Sequence, residues 1–407
     1  MVSGLSTRTP GRPETVAEFF ERIDPIDSES YGMSSLLIIA WFGLIGFFLA
    51  TAAVTVVRYR RPRSASGEPL PGCSIILPIK GVSNFLENNL RDLAGLEPFR
   101  GEILVALASE QDPAFEIVAP IVAEYPNKMK LLLGEEMEFV NPKLRNVAKA
   151  YRASKEDIIL FVDDSVKLDS DLYAEIIRGI RPGLAITTAP VATDAENFPA
   201  EIEAAICNGY LFRIEMYLNL FGMAAAFGNA LAFRKLDLEA VGGLQRLTNG
   251  PCEDHALSEA LRADGGRLTQ LPTGIQRRIG KRTWSEIFWR HLRWKKCTIC
   301  HDPIAFVAEP MIGGLCFNLL GTYAVSVMLG VPWWLGLGIS MAGWYGGEAL
   351  LHLVCRWKIT FISPLAWLAR DLLQPMFMLL AATTGEVRWR GETIKMPVGG
   401  WRARSRD

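Results

Sequence analysis

Long uncharged segments lie near both ends of the 407-residue chain, and a mixed polar and apolar region separates them. Residues 33–57 carry no charge and exceed the roughly 20 helical residues that span a bilayer. Residues 310–347 are also uncharged but too long for one span, and Pro332 is expected to divide them into two helices. Residues 361–382 form a third apolar segment, interrupted by one Arg-Asp pair. The pattern predicts a membrane protein with a soluble domain between its N-terminal and C-terminal helices.

Positive charge beside these segments predicts the orientation of the soluble domain. Arg58, Arg60 and Arg61 directly follow the first span, and a basic run at 277–296 precedes the second membrane block. By the positive-inside rule, the soluble domain lies in the cytoplasm. We expect a flexible N-terminus at 1–32, a transmembrane helix at 33–57, a cytoplasmic domain at 70–280, an interfacial helix at 281–302, C-terminal membrane helices at 310–382 and a cytoplasmic tail at 383–407.

Composition limits the class of function. The formal net charge is −1, which argues against a nucleic-acid-binding protein built on bulk basic charge. The seven cysteines are expected to be free thiols, because the cytoplasm keeps thiols reduced. The string Cys297-Thr-Ile-Cys300-His301 matches the attachment pattern of c-type haem, so an electron-transfer protein is one alternative. The predicted cytoplasmic location argues against that alternative, since such haem is attached on the outer side.

Short apolar runs alternate with helical periodicity in the soluble domain. Predicted strands lie at 74–78, 102–107, 129–133 and 158–162, and predicted helices at 84–93, 113–124 and 143–153. This alternation is typical of a mainly parallel α/β sheet. Ligands of such sheets bind at the carboxyl ends of the strands, so side chains just beyond these ends are the first candidates for a site.

Carboxylates follow two of the predicted strands. Asp112 comes after 102–107, and the adjacent Asp163 and Asp164 come directly after 158–162. Paired carboxylates suit a hard divalent cation such as Mg²⁺ or Mn²⁺. The alternative interpretation is a turn or cap, in which the side chains bond to the local backbone.

A second acidic pair, Glu253-Asp254, comes after a turn and before a helical run. Asp254 is a candidate general base, which has to reach the proton that it removes. Capping of the helix N-terminus is the alternative interpretation for this aspartate.

Apolar and basic residues share one predicted helix just before the second membrane block. Trp284, Phe288 and Leu292 recur at helical spacing among Arg and Lys residues, as in a helix at a membrane interface. Arg290 and Arg293 are suited to binding a diphosphate, because guanidinium groups match phosphate oxygens. The alternative is a plain membrane anchor.

In chain order, Asp112, Asp163, Asp254 and Arg290-His-Leu-Arg293-Trp294 resemble the D, D, D, (Q/R)xxRW pattern of GT-A-fold glycosyltransferases. Further strings resemble those of ceramide glucosyltransferases: Leu77-Pro-Ile-Lys80-Gly81-Val with Glu87-Asn-Asn-Leu, Gln111-Asp112-Pro-Ala, and Asn141-Pro-Lys143-Leu-Arg-Asn146. The resemblance covers roughly residues 70–300 and fits the flanking membrane segments. It implies a GT-A α/β domain with one N-terminal and about three C-terminal membrane or interfacial helices.

The resemblance also implies a reaction. Asp254 would deprotonate the acceptor hydroxyl in an inverting transfer from a UDP-sugar, while a metal ion and arginines would stabilise the departing UDP. The implied donor-binding residues are Lys80, Asp112 (against the uridine), Lys143, Asp163, Arg290, Arg293 and Trp294. Asp164 departs from the family pattern, which has Ser there followed by Gly. Asp163 and Asp164 are therefore both candidate ligands for Mg²⁺ or Mn²⁺.

The membrane segments imply that the acceptor is a lipid at the bilayer surface. Ceramide is the first candidate, and hopanoid polyols and diacylglycerol are alternatives. Glucose is the first candidate sugar, followed by N-acetylglucosamine, galactose and a uronic acid. A processive polysaccharide synthase shares the motif order, but usually has more membrane helices. The expected location is a bacterial inner membrane, with no nucleic-acid partner.

Overall fold

The computed structural model describes residues 28–61, 69–139, 141–249, 252–390 and 392–395. Residues 1–27 of the predicted flexible N-terminus and residues 396–407 of the predicted tail lie outside the described residues.

A seven-stranded sheet forms the centre of the soluble domain. In chain order, the strands of the domain are β1 (Cys73–Ile79), β2 (Gly101–Leu107), β3 (Met129–Leu133), β4 (Ile158–Val162), β5 (Val166–Lys167), β6 (Leu184–Thr187), β7 (Pro190–Ala195), β8 (Ala230–Arg234), β9 (Arg267–Gln270) and β10 (Ile275–Gly280). The main sheet has the order β3-β2-β1-β4-β8-β6-β9, and a second sheet has the order β5-β10-β7.

Helices connect these strands and flank the domain. They are α1 (Ser28–Tyr59), α2 (Leu86–Ala94), α3 (Phe115–Glu124), α4 (Pro142–Ala153), α5 (Ser170–Gly179), α6 (Phe198–Ala205), α7 (Arg213–Leu218), α8 (Lys235–Ala240), α9 (Glu253–Ala263), α10 (Trp284–His301), α11 (Pro303–Met311), α12 (Gly314–Leu329), α13 (Trp333–Cys355) and α14 (Ser363–Thr383). A π-helical segment, Ile206–Phe212, joins α6 to α7.

The predicted α/β class is confirmed. Strands β3, β2, β1 and β4 pair in parallel, whereas β8 runs antiparallel to β4 and β6. Cys73 at the start of β1 lies opposite both Gly101 and Ile158, so the carboxyl ends of β1, β2 and β4 meet at one edge of the sheet. The segments that carry the predicted site residues therefore leave the sheet close together.

Both faces of the sheet are covered, which explains its continuous apolar strands. Ile75 and Leu77 of β1 belong to one buried cluster, whereas Ile76 between them belongs to another. Successive side chains of a strand point to opposite faces, so a strand buried on both faces is apolar throughout.

Three helical segments of the described chain are long and apolar enough to cross a bilayer: Gly32–Tyr59, Pro303–Leu329 and Ser363–Thr383. The predicted division at Pro332 is confirmed, because α12 ends at Leu329 and α13 begins at Trp333.

The Arg-Asp pair inside the last apolar segment has partners within the helical bundle. Arg370 is almost fully buried, bonds to Glu348 of α13 through Nη2 at 2.8 Å, and bonds to Asp371 through Nε at 2.8 Å. Charged groups buried among apolar helices need such partners, because an isolated charge in an apolar medium is very costly.

A β-hairpin follows the last helix, in the region predicted only as a tail. Its strands are β11 (Glu386–Trp389) and β12 (Glu392–Lys395). Val387 is buried against Leu292 of α10 and Met378 of α14. The hairpin is thereby packed onto the helix that carries the predicted RxxRW residues.

Candidate active site

A cavity of about 700 Å³ lies at the carboxyl ends of the central strands. Its wall contains eight of the predicted residues: Lys80, Lys143, Asp163, Asp164, Asp254, Arg290, Arg293 and Trp294. Asp112 is not part of this wall in the described structure. Both of its carboxylate oxygens accept from the Gly81 N–H, at 2.9 and 3.0 Å, and Oδ1 also accepts from Ala114 N–H at 2.9 Å. Its predicted contact with uridine stays a prediction.

Lys143 lies between two carboxylates. Its Nζ is 2.7 Å from Asp163 Oδ1 and 2.7 Å from Glu253 Oε1. Asn141 caps helix α4 by accepting from Lys143 N–H at 2.8 Å, and its amide donates to Glu253 at 3.2 Å. The helix start therefore sets the position of the lysine relative to both acids.

The charges of this cluster stabilise one another. Burial disfavours the charged lysine, but Asp163 and Glu253 outweigh burial and raise the pKa of Lys143. Burial likewise disfavours the ionised Asp163, but Lys143, followed by Arg277 and Arg293, holds the pKa of Asp163 below its ordinary value. Asp163 is therefore an anion in the cavity wall.

Asp164 has a different environment from its neighbour. Its side chain is 7% exposed, against 29% for Asp163, and burial raises its pKa. Both of its oxygens accept from Nη2 of Arg390, at 3.0 and 3.2 Å. The two adjacent aspartates thus differ in exposure and in the cation that each contacts.

Asp163 fits a divalent cation when a substrate supplies further ligands. No group of three or more His, Cys, Asp or Glu side chains in the described chain is placed to hold a metal ion. Mg²⁺ is commonly bound by one or two carboxylates together with substrate phosphates and water, and Asp163 presents such a carboxylate to the cavity. The metal assignments of Asp163 and Asp164 stay predictions.

Asp254 faces the cavity at the start of helix α9. Its Oδ2 accepts from Gly228 N–H at 2.8 Å, and its Oδ1 accepts from its own neighbour, His255 N–H, at 2.8 Å. A Cβ on Gly228 would lie 2.9 Å from Lys143 Nζ and 3.4 Å from Asp254 Oδ2, so a side chain at 228 would displace the cluster. The capping interpretation is wrong, because the N-cap residue of α9 is Cys252 and Asp254 lies inside the helix, whereas the base interpretation agrees with this position and stays a prediction.

A buried carboxylate that sequence reasoning missed organises three arginines. Glu203 on α6 has a fully buried side chain and contacts Arg290 at 2.7 Å, Arg282 at 3.1 Å and Arg277 at 3.5 Å. Burial opposes its charge, but Arg290 and then the other two arginines hold the pKa of Glu203 well below its ordinary value. Arg277 to Arg290 lie in the basic run from which we predicted orientation, so part of that run has a structural role in the folded domain.

Arg293 and Trp294 lie beside this cluster. Burial and then the nearby Arg290 lower the pKa of Arg293 to about 10, while the carboxylates of Glu253, Asp163 and Asp254 oppose the shift. The Arg277 guanidinium stacks over the Trp294 ring at 5.4 Å. Contacts of these residues and of Arg290 with a donor stay predictions.

The cavity extends toward the first membrane helix. Tyr210, Glu215 and Met223 line this end. The Tyr217 ring in α7 lies 5.6 Å from the Phe47 ring in α1. One cavity therefore joins the acidic strand ends to elements that pack against a candidate membrane span.

The expectation of seven free thiols is wrong for one pair. Cys252, just before α9, is disulfide-bonded to Cys297 of α10, with Cα atoms 6.3 Å apart. The other five cysteines form no disulfide bond in the described structure. Folding brings together two cysteines that are 45 residues apart, which spacing alone does not indicate. In this state Cys297 lacks the free thiol that attachment of a c-type haem requires.

Residues 36–401 match the model of glycosyl transferase family 21. Two curated relatives are ceramide glucosyltransferases 1 and 3 of Caenorhabditis elegans, each 24% identical to this chain. The first alignment covers 84% of this chain and 75% of the relative, and the second covers 87% and 79%. A solved structure, mannosyltransferase PcManGT from Pyrobaculum calidifontis with GDP-Man and Mn²⁺, has a TM-score of 0.48 and 14% identity over 85% of this chain and 98% of its own. The family match spans most of the chain, so the chain belongs to glycosyl transferase family 21 and the predicted family is confirmed.

Proposed function

We propose that this family 21 glycosyltransferase transfers a hexose from a UDP-sugar to the hydroxyl of a membrane lipid, with inversion at the anomeric carbon. Ceramide is the first candidate acceptor and glucose the first candidate sugar. The observation that carries the proposal is the shared cavity, which contains acids and arginines at the strand ends and reaches residues beside the first membrane helix. The names of the C. elegans relatives support the same acceptor and sugar.

The donor end of the cavity would bind the diphosphate. Arg293 and Lys143 are partly buried cations in this wall, and a partly buried charge stabilises a departing diphosphate more strongly than a charge in bulk solvent does. Trp294, with Arg277 stacked on its ring, would cover this end. Asp163 would hold the Mg²⁺ or Mn²⁺, which when bound neutralises charge on the diphosphate.

The acceptor end would present the lipid hydroxyl to Asp254. The Gly228 and His255 N–H groups fix the orientation of that carboxylate. As the acceptor oxygen attacks the anomeric carbon from the face opposite UDP, its proton would pass to a carboxylate oxygen of Asp254. A lipid reaching the cavity from the bilayer would need its hydroxyl near the surface, which agrees with a soluble domain packed on membrane helices. The proposed orientation places this domain in the cytoplasm.

Lipid analysis tests this proposal. Lipid extracts from cells expressing the chain should contain a hexosyl lipid that is missing from cells expressing Asp254→Asn. Purified protein in detergent should form the same product from UDP-glucose and ceramide, with release of UDP. If the hexose is found on diacylglycerol or a hopanoid, that lipid replaces ceramide as the proposed acceptor. A polymer without lipid would identify a polysaccharide synthase, and transfer without consumption of a UDP-sugar would contradict the donor assignment.

A further inference from the structure

The C-terminal hairpin reaches the donor end of the cavity from the opposite end of the chain. Val387 anchors its first strand on α10, and the Arg388 guanidinium lies 4.6 Å from the centre of the Trp289 ring on the same helix. The first strand of the hairpin is therefore held beside the helix that carries Arg293.

Two hairpin residues contact the segments that leave β1 and β4. Arg390 donates to both oxygens of Asp164, just beyond β4. Glu392 pairs with Lys80, just beyond β1. The hairpin thus bridges helix α10 and the strand ends across the donor end of the cavity.

The Arg390 guanidinium has more N–H donors than its described contacts use. The described contacts to Asp164 use Nη2, and a guanidinium carries five N–H donors. Its Nη1 is directed toward Gly81, where an added Cβ would lie 4.0 Å away. Arg390 itself lines the cavity.

The charge balance of the cavity wall favours Arg390 over two of the other cations there, Lys143 and Arg290, as a ligand for a further anion. Lys143 contacts two carboxylates, and Arg290 contacts Glu203. Asp164, the described partner of Arg390, is buried in an environment that disfavours its charged form. An incoming diphosphate carries the negative charge and the oxygen geometry that a guanidinium binds best.

We propose that Arg390 is a ligand for the donor diphosphate and that Asp164 is the positioning residue that orients it. On this assignment Asp164 is not a metal ligand, and it acts through its contact with the arginine in the hairpin. The inference deepens the proposed function and rests on it, because it requires that the cavity bind a nucleoside diphosphate.

Binding of UDP to the full-length protein in detergent micelles, measured by calorimetry, tests the assignment. Titrations are made in EDTA and again with Mn²⁺. Arg390→Ala should weaken UDP binding about tenfold or more in both conditions, the range expected for loss of a charge-assisted hydrogen bond. Arg390→Lys should recover part of the affinity, because lysine restores the positive charge but not the planar guanidinium that can bind two phosphate oxygens at once.

Asp164→Asn gives the sharper result. Removing a negative charge near a bound anion should strengthen UDP binding by electrostatics alone, whereas loss of a positioning residue should weaken it. We expect weaker binding in EDTA, and a double variant no weaker than Arg390→Ala, since coupled residues are non-additive. Asp157→Asn and Arg234→Ala alter a similar ion pair, 2.6 Å apart at the other end of β4, and should leave UDP binding unchanged.

Each contrary result has a distinct meaning. Unchanged UDP affinity in Arg390→Ala, with the unaltered chain binding UDP, overturns this inference and leaves the proposed function intact. Equal or tighter binding by Asp164→Asn in EDTA, with a defect only in Mn²⁺, assigns Asp164 to the metal instead. Failure of the unaltered chain to bind UDP overturns both proposals.

Discussion

The ammonium group of Lys143 lies 2.7 Å from the carboxylate of Asp163, and the same nitrogen is 2.7 Å from Glu253. One partly buried cation thus separates two acids, of which one follows β4 and the other begins α9. Its loss would leave like charges facing each other at the donor end of the cavity.

Lys143→Met should therefore lower kcat/KM for the UDP-sugar by about a hundredfold or more, since removing one positioned group that stabilises developing charge typically costs about 10²–10³ in rate. Steady-state kinetics at varied donor concentration measures the change. Lys130→Met removes an exposed lysine from β3 and is the matched control, which should behave as the unaltered chain. Normal kinetics for Lys143→Met would contradict a role of this cluster in catalysis.

Asp254→Asn should abolish sugar transfer while UDP binding stays within about twofold, because the amide keeps the shape but cannot take the proton. Paired transfer and UDP-binding assays separate the two effects. Asp264→Asn changes an exposed aspartate at the other end of α9 and should retain activity. Loss of UDP binding in Asp254→Asn would show that this residue shapes the donor site instead.

Arg293 and Arg290 should differ although they share one motif. Arg293→Ala should reduce donor-dependent turnover by about a hundredfold or more with little change in the thermal unfolding midpoint. Arg290→Ala removes a contact of the buried Glu203 and should lower that midpoint as well. Thermal unfolding in detergent, run beside kinetics, distinguishes the two. If Arg293→Ala has the kinetics of the unaltered chain, α10 is a plain membrane anchor and does not bind the donor.

Glu203→Ala should destabilise the soluble domain by about 3–5 kcal/mol, because three arginines would lose their shared buried counter-charge. Denaturant unfolding or the yield of folded protein measures this loss. Glu196→Ala, an exposed position just before the same helix, is the control. Equal stability of the two variants would show that the arginines find other partners.

Glu215 predicts a pH dependence of stability. Burial raises its pKa from 4.5 to about 7, with the Ala225 N–H offsetting part of the effect. Between these values the folded state keeps the proton and the unfolded state loses it, so stability falls as pH rises from 4.5 to 7. The difference between the two pKa values corresponds to a destabilisation of the folded state by roughly 3 kcal/mol at pH 8.

Glu215→Gln should remove this contribution. The variant should be more stable than the unaltered chain at pH 8, and the two should converge near pH 4.5. Unfolding midpoints across this pH range test the prediction. Parallel curves for the two proteins would show that the carboxyl is solvated in the folded state.

Several local elements follow from the sequence with little help from the rest of the chain. The predicted strands at 129–133 and 158–162 coincide with β3 and β4, and the predicted helix at 143–153 differs from α4 by one residue. Apolar runs and helical spacing determine these elements because the side chains that face the core of the protein have to be apolar. The order of the motif residues likewise sufficed to indicate the family.

Contacts between distant segments required the tertiary structure. Asp163 and Asp164 are neighbours in the sequence, yet one contacts Lys143 and the other contacts Arg390, which is 226 residues away. The convergence of Arg277, Arg282 and Arg290 on Glu203 has no local pattern either. Such contacts depend on how helices and the C-terminal hairpin pack, through apolar residues such as Val387, and packing is a property of the whole chain. The sequence alone therefore determined the elements, the family and the candidate residues, whereas the packed structure decided which charge each of those residues faces.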